Sequence, residues 1–141
     1  MARTVATRTI AAPIDLVFST VADPRQLRKA VPRMGEIELL SDRRYRQGSY
    51  VMDVVEFVPN DHVRVVTQPA GTVWDSVFAV RPASQGTVLT LTMEGRTKRL
   101  RSMILNFMIR GMLKRTIEHD MDSIKAFCED NQRSAPQAVP V

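Results

Sequence analysis

The hydrophobic pattern near the N-terminus changes from strand-like to helical. Residues 4–10 (TVATRTI) alternate and are rich in β-branched types, which predicts a strand. The apolar residues of the next two segments recur every three or four positions, as on one face of a helix. Pro13 and Asp15 suit the first turn of one helix, while Asp23 and Pro24 suit the cap and first position of another. The chain therefore opens with a strand and two short helices.

The middle of the chain is strand-like. Segments rich in Val, Thr and aromatic residues occur at 36–40, 48–58, 63–67, 72–80 and 87–93. Turn signals containing Pro, Asn or Gly separate several of them, and short connections of this kind join antiparallel neighbours. Together with the first strand, this pattern predicts an antiparallel meander of about six strands.

The last periodic stretch runs from Thr97 to Asn131 and contains no proline. Its apolar stripe at three- and four-residue intervals consists of Leu100, Ile104, Phe107, Gly111, Ile117, Met121, Ile124 and Cys128. A single helix of this length would rise roughly 50 Å. A globule of this chain length has a diameter of about 37 Å. The helix is therefore expected to cross the whole molecule or to bend at Gly111.

These elements predict an α+β fold. An antiparallel sheet needs cover on one face, and two short helices cannot cover about six strands. The long C-terminal helix is the large apolar surface that remains, so we expect a curved sheet wrapped around it. The domain is expected to span residues 1–132. Residues 133–141 are expected to form a disordered tail, because the final segment SAPQAVPV has two prolines and no period.

The order of elements resembles a known superfamily. The segments AAPIDLVFSTVADP, TVWDSVFAV and GTVLTLTM, followed by a long terminal helix, are similar to the START-related (SRPBCC) superfamily over about residues 2–130. The fold of that superfamily is the helix-grip, and its bacterial members include polyketide cyclase/dehydrase-like proteins. The resemblance implies a cavity between sheet and helix. It implies no particular reaction, because the family has no universal catalytic signature.

Alternation along the strands predicts the cavity lining. On one strand Trp74 and Phe78 share the bulkier apolar face, although Trp74 also suits a plain core position. Both faces of the strand near Tyr50 carry apolar residues, so either could point into the cavity. We favour the face of Tyr50 and Met52 as the inward one, because Asp53 on the other face prefers water. The predicted ligand-binding residues are Tyr50, Met52, Trp74, Phe78, Leu91, Met93, Met103, Phe107 and Gly111.

Composition narrows the class of protein. The chain has 141 residues, 44% of them hydrophobic and 25% charged, as in one soluble domain. Its single cysteine excludes an internal disulfide framework, and its two histidines lack metal-binding spacing, so no metal or cofactor is expected. The N-terminal residues contain Arg3 and Arg8 and no apolar signal core, and the sequence has no uncharged apolar run of membrane-spanning length. A cytoplasmic protein is therefore expected.

The basic character of the chain raises nucleic acid as a partner. The net charge is +5, with basic residues concentrated between Arg96 and Arg115. Aromatic residues do not interleave with that concentration as a base-stacking platform requires. We interpret it as a solvated basic face and expect no nucleic-acid partner.

Two functions remain open. The first is binding of a small hydrophobic molecule, polyketide-, lipid- or sterol-like, in the predicted cavity. The alternative is an enzyme of the polyketide cyclase or aromatase type, which needs a positioned acid or base. Its candidate catalytic residues are Asp53, Glu56 and Tyr50, with Arg64 or Arg96 to hold an enolate.

The first half of the long helix is unusually apolar. Leu105, Ile109 and Met112 lie roughly opposite Phe107 and Gly111, so a second apolar side needs cover. A homodimer is our first expectation, since large apolar patches on soluble proteins often contact protein. A lid over the cavity comes second, and contact with an anionic membrane surface third.

Overall fold

The computed structural model describes residues 2–67, 72–97 and 103–134. Within these ranges, the side chains of residues 2, 72, 96–97, 103–110 and 133–134 lie outside the description. The strands are β1 Ala2–Ile10, β2 Ile37–Ser41, β3 Arg44–Gln47, β4 Tyr50–Val58, β5 His62–Thr67, β6 Thr72–Ala83 and β7 Gly86–Thr97. The helices are α1 Ile14–Ala22, α2 Pro24–Ala30 and α3 Met103–Ser134, with a 3₁₀ turn at Pro32–Met34.

The seven strands form one antiparallel sheet in the order β1-β7-β6-β5-β4-β3-β2. From β2 to β7 the chain is a meander, and β1 pairs with β7 along its length. The three helices pack on one face of this sheet, which we call the inner face. The predicted α+β arrangement of a curved sheet, a long C-terminal helix and short helices after the first strand is confirmed.

The sequence prediction of about six strands missed β3. Its four residues, RYRQ, contain one apolar side chain and three polar ones, so they give no strand signal. β3 forms because it pairs on both sides, with β2 and with β4. Gly48 makes the tight turn to β4 possible with its φ of 60°, a left-handed conformation that favours glycine.

The predicted start of the long helix at Thr97 is wrong. Thr97 is the last residue of β7, where it pairs with Thr72. α3 is described from Met103, and residues 98–102 lie outside the described part of the chain. At its other end α3 continues through Ser134, two residues into the predicted tail, and residues 135–141 are not described.

A β-bulge in β4 explains why both faces of this strand looked apolar. The register shifts between Val54 and Glu56, so two residues of β4 lie opposite one of β5. Before the bulge Met52 and Val54 face inward. After it Phe57 faces inward too, where its ring packs edge-on against Phe18 of α1 at 5.4 Å between centroids. The predicted face of Met52 is therefore right, but alternation alone assigned Phe57 to the wrong one.

The C-terminal half of α3 supplies the centre of the core. Ile117, Met121, Ile124 and Cys128 recur at the predicted interval and are at most 1% exposed. They pack with Ile10, Val17 and Leu89, which are completely buried. Burying an aliphatic side chain of this size contributes about 1.5 to 3 kcal/mol, so this stripe carries most of the free energy that holds α3 to the sheet.

A row of polar contacts joins the edge strand β1 to α3. The guanidinium of Arg8 donates to Asp122 Oδ1 at 2.7 Å and also pairs with Glu118, one helical turn earlier. Further along, Lys125 Nζ donates to the carbonyl of Thr9 at 2.8 Å. The backbone N–H of Ala11 donates to Glu129 Oε2 at 2.9 Å. We call this row the β1–α3 ladder, and it fixes the position of the helix along the strand.

Substitution of Arg8 by Met is expected to destabilise the protein. The variant Arg8→Met keeps much of the apolar stem and removes the contacts to Glu118 and Asp122. Because solvent screens this pair of contacts, the expected loss is about 1 kcal/mol in the free energy of unfolding, measured by urea denaturation. The matched control is Arg3→Met. The Arg3 side chain is 63% exposed, and its Nε lies 3.6 Å from Oε1 of its partner Glu94. Equal losses for both variants would contradict a special role for Arg8.

The same contact predicts a dependence of stability on pH. The hydrogen bond from Arg8 holds the pKa of Asp122 below its ordinary value of 3.8. The ionised carboxylate therefore stabilises the fold above that ordinary pKa, and the contribution is lost as the pH falls through the lower pKa of the folded state. Denaturation curves between pH 5 and 2 are expected to lose less stability on acidification in Arg8→Met than in the wild type. Parallel curves would show that Arg8 does not act on this carboxylate.

Candidate functional site

A cavity of about 170 Å³ lies between α2, the centre of the sheet and α3. We call it the inner cavity. Its wall is mostly apolar, because the inward-facing positions of β4 to β7 and the buried faces of α1, α2 and α3 converge there. The apolar lining residues are Val21, Ala22, Pro24, Leu27, Val31, Met34, Met52, Val65, Phe78, Leu91, Met93 and Ile124.

Three neutral polar side chains also line the inner cavity: Tyr45, Gln47 and Ser76. Ser76 stands on the central strand β6, whereas Tyr45 and Gln47 stand on β3. None of the three side chains hydrogen-bonds to any residue in the described ranges. An apolar pocket with a few polar groups free to orient a guest is the usual form of a small-molecule site.

An ion pair stands at the wall of the inner cavity. Arg33, in the 3₁₀ turn, donates from Nε to Asp120 Oδ1 of α3 at 2.8 Å, and a second nitrogen contacts the other carboxylate oxygen. The hydrogen bond to Asp120 raises the pKa of Arg33 above its ordinary value. The Asp120 side chain is 13% exposed and that of Arg33 54%, so the pair extends from the cavity wall toward solvent. A two-point arginine–carboxylate contact holds the 3₁₀ turn against α3.

Tyr45 is the most buried of the polar lining groups. Only 5% of the residue is exposed, and burial raises the pKa of its phenol to about 12. The hydroxyl is therefore neutral at physiological pH and able to donate a hydrogen bond.

A second and more open space lies beside the inner cavity. It has a volume of about 510 Å³ and lies between α1, the start of α2, the turn joining β2 to β3, and the turn joining β4 to β5. We call it the outer cleft. The rings of Phe18 and Phe57 line it. The guanidinium of Arg43 lies 4.4 Å from the centroid of the Phe57 ring, in cation–π contact.

The structure brings four of the predicted ligand-binding residues to the inner cavity: Met52, Phe78, Leu91 and Met93. Trp74 shares their face but packs over Gly95 of β7, so close that a Cβ on that glycine would lie 2.7 Å from the indole ring. Tyr50 shares that face too, yet it lies at the hairpin end and is 49% exposed. Gly111 is exposed. Met103 and Phe107 have side chains outside the described residues.

The predicted catalytic acids lie on the opposite, outer face of the sheet. Asp53 accepts a hydrogen bond from Arg44 at 2.7 Å. Glu56 accepts one from Arg64 at 3.1 Å, and Arg64 also pairs with Asp75. Neither Asp53 nor Glu56 lines the inner cavity. Arg64 is thus engaged on the outer face, and the side chain of Arg96 is not described.

Sequence reasoning missed the polar side of the cavity. Tyr45 and Gln47 belong to β3, the strand without a sequence signal. Arg33 lies in a turn, and Asp120 lies among charged residues of α3 that read as a solvated face. The periodicity of α3 does hold a signal for Asp120, because it precedes the buried Met121 and lies four residues before the buried Ile124.

The apolar first half of α3 remains a prediction. Met112 is 65% exposed, whereas the side chains of Leu105 and Ile109 lie outside the described residues. The choice among a homodimer, a lid and a membrane surface is therefore untested. Within the described ranges, no helix is both long and apolar enough to cross a membrane.

Comparison with protein families gives one match over nearly the whole chain. The sequence model of the family described as "Polyketide cyclase / dehydrase and lipid transport" matches residues 1–129. No curated protein sequence matches the chain.

Solved structures with the same fold are numerous and distant in sequence. A START superfamily protein from Mycobacterium smegmatis has a TM-score of 0.77 at 16% identity, covering 92% of this chain and 99% of its own. A Thermus thermophilus protein has a TM-score of 0.68 at 15% identity, covering 96% of this chain and 99% of its own. DynU16, from the dynemicin biosynthetic locus, has a TM-score of 0.74 at 15% identity, covering 95% of this chain and 49% of its own. Such identities establish the fold alone.

Proposed function

This chain belongs to the polyketide cyclase/dehydrase and lipid transport family, and from that premise we propose that it binds a small, largely apolar molecule in the inner cavity. The observation that carries the proposal is the cavity's lining, an apolar wall with three polar side chains that no described residue satisfies. A polyketide-, lipid- or sterol-like guest has this character, with an apolar body and a few oxygen atoms.

The energetics favour binding of such a guest. Moving apolar surface from water into the cavity contributes about 25 cal/mol for each Å² removed from water. Gln47, Ser76 and Tyr45 add orientation, because a guest that offers no hydrogen-bond partner leaves these groups buried and unpaired. The methionines Met34, Met52 and Met93 suit guests of irregular shape, since their side chains are flexible and polarisable.

Binding is expected to raise the melting temperature. A panel of fatty acids, sterols, aromatic polyketides and octanol is to be screened by thermal denaturation. A guest at about 100 times its dissociation constant stabilises the folded state by about 2.7 kcal/mol, which corresponds to a rise of about 10 °C for a domain of this size. The blocking variant Ser76→Leu fills the inner cavity from the central strand and is expected to lose the rise. A panel without any thermal shift would contradict the proposal.

Two control variants distinguish filling of the inner cavity from loss of the Ser76 hydroxyl and from a polar-to-apolar substitution elsewhere in the sheet. Ser76→Ala removes the hydroxyl without filling the cavity, and it is expected to weaken binding by a few-fold. Thr92→Leu makes the same kind of polar-to-apolar change on the outer face, where residue 92 pairs with Val77. It is expected to leave the thermal shift unchanged. If Thr92→Leu abolishes the shift as fully as Ser76→Leu does, the guest does not bind in the inner cavity.

A second candidate function, catalysis of the polyketide cyclase type, is supported by two groups in the cavity wall. Asp120 and Tyr45 both line the inner cavity, and the Arg33 guanidinium stands beside the carboxylate. An aldol closure followed by dehydration needs a base to remove a proton from carbon and an acid to protonate the leaving oxygen. On this proposal Asp120 removes the proton from carbon and returns it to the leaving hydroxyl, which departs as water, while Tyr45 donates a hydrogen bond to the developing oxyanion. The earlier candidates Asp53 and Glu56 have no such position.

The catalytic proposal predicts that substitution of a carboxylate lowers kcat only where the carboxylate lines the inner cavity. With a poly-β-ketone substrate mimic, Asp120→Asn and Tyr45→Phe are each expected to lower kcat about 100-fold or more. The control Asp53→Asn removes a carboxylate of the outer face and is expected to retain wild-type kcat. Turnover that survives both inner substitutions would contradict the roles given to Asp120 and Tyr45. Absence of turnover in the wild type would leave binding as the function.

A further inference from the structure

The inner cavity and the outer cleft share part of one wall. The residues that line both are Ala22, Pro24 and Tyr45. Ala22 and Pro24 are short or rigid and belong to the α1–α2 corner. Tyr45 is therefore the one shared residue whose side chain can leave the wall by rotating about its own bonds.

The position of Tyr45 in the sheet supports its role as a partition. Leu39 of β2 and Met52 of β4 pair directly with it, on either side. Leu39 lines the outer cleft, and Met52 lines the inner cavity. The three side chains thus form a row across the sheet that leads from one space into the other, with the tyrosine ring between them.

Little polar contact holds the ring in place. The Tyr45 hydroxyl makes no hydrogen bond within the described part of the chain, although the residue is only 5% exposed. β3 is four residues long and stands next to the edge strand β2. The ring is thus retained by packing, and an apolar guest that replaces this packing can displace it.

The volumes of the two spaces indicate how rotation of the Tyr45 ring would change the guests that fit. The inner cavity, about 170 Å³, is smaller than the roughly 300 to 1,000 Å³ common for ligand pockets. The outer cleft beside it is about 510 Å³. A short guest fits the inner cavity alone, whereas a long one needs both spaces. Charged side chains also line the outer cleft, among them Asp42 and Arg43, and they suit the polar end of a long guest.

We propose that Tyr45 is a specificity-determining partition, and that with its ring turned aside the two spaces form one chamber for an elongated apolar molecule with a polar end. This inference rests on the proposed binding function and specifies the class of ligand. Residue 45 then controls the length of the guest rather than the existence of binding.

The test compares two alcohols of different length. Dissociation constants for octanol and dodecanol are measured by calorimetry in the wild type, Tyr45→Ala and Tyr45→Leu. Each methylene that enters an apolar cavity favours binding by about fourfold, so opening the partition acts mainly on the longer alcohol. Loss of the Tyr45 hydroxyl is expected to weaken both alcohols by the same few-fold factor in both variants. The ratio of dodecanol affinity to octanol affinity is expected to rise at least about tenfold over that of the wild type. The milder Tyr45→Leu serves if Tyr45→Ala does not fold.

The matched control is Tyr50→Ala, which removes a tyrosine that lines neither space. It is expected to bind both alcohols as the wild type does. Octanol and dodecanol affinities that change by the same factor in the Tyr45 variants, or that do not change, would overturn the partition while leaving the binding function intact. If neither alcohol binds any form of the protein, the binding function itself fails, and the partition fails with it.

Discussion

The structure depends on the way α3 is held against the inner face of the sheet. Its buried stripe, from Ile117 to Cys128, supplies the larger share of the free energy, because each aliphatic side chain removed from water is worth more than a screened ion pair. The polar contacts decide the position of the helix instead. The β1–α3 ladder holds one flank of the helix, and the Arg33–Asp120 pair holds it from the 3₁₀ turn.

This arrangement explains the composition of the inner cavity. Asp120 lies at the cavity wall because the Met121 next to it is fixed in the core. The α1–α2 corner contributes apolar walls, while the short strand β3 contributes Tyr45 and Gln47. The polar groups of the wall thus come from β3, β6, the 3₁₀ turn and α3, and apolar side chains that include Phe78 and three methionines line the rest of the cavity. The family and the fold indicate ligand binding or polyketide-type chemistry, and a mainly apolar lining with a few polar groups suits either function.

The sequence predicted the architecture well and the polar part of the site poorly. The architecture is encoded by repeated signals, since the alternation of the strands and the spacing of Ile117, Met121, Ile124 and Cys128 each recur several times. The inner cavity depends on single residues without a period. β3 forms because its neighbours pair with it, and its own sequence gives no indication of this. The bulge in β4 reverses the alternation, so the placement of Phe57 required knowledge of the register. Asp53 and Glu56 were attractive as isolated acids, but their cross-strand arginines became visible only after the strands were paired.

The claim that the inner cavity holds an apolar guest is tested most directly by methyl NMR of selectively labelled methionines. Met34, Met52 and Met93 line the inner cavity, Met121 is buried in the core, and Met112 is 65% exposed. On titration with octanol, the methyl resonances of Met34, Met52 and Met93 are expected to shift together along one binding curve, with that of Met112 unmoved. Intermolecular NOEs from the alcohol to the same three methyl groups are expected to confirm contact. Shifts and NOEs confined to Met112, with the cavity methionines unchanged, would contradict the account.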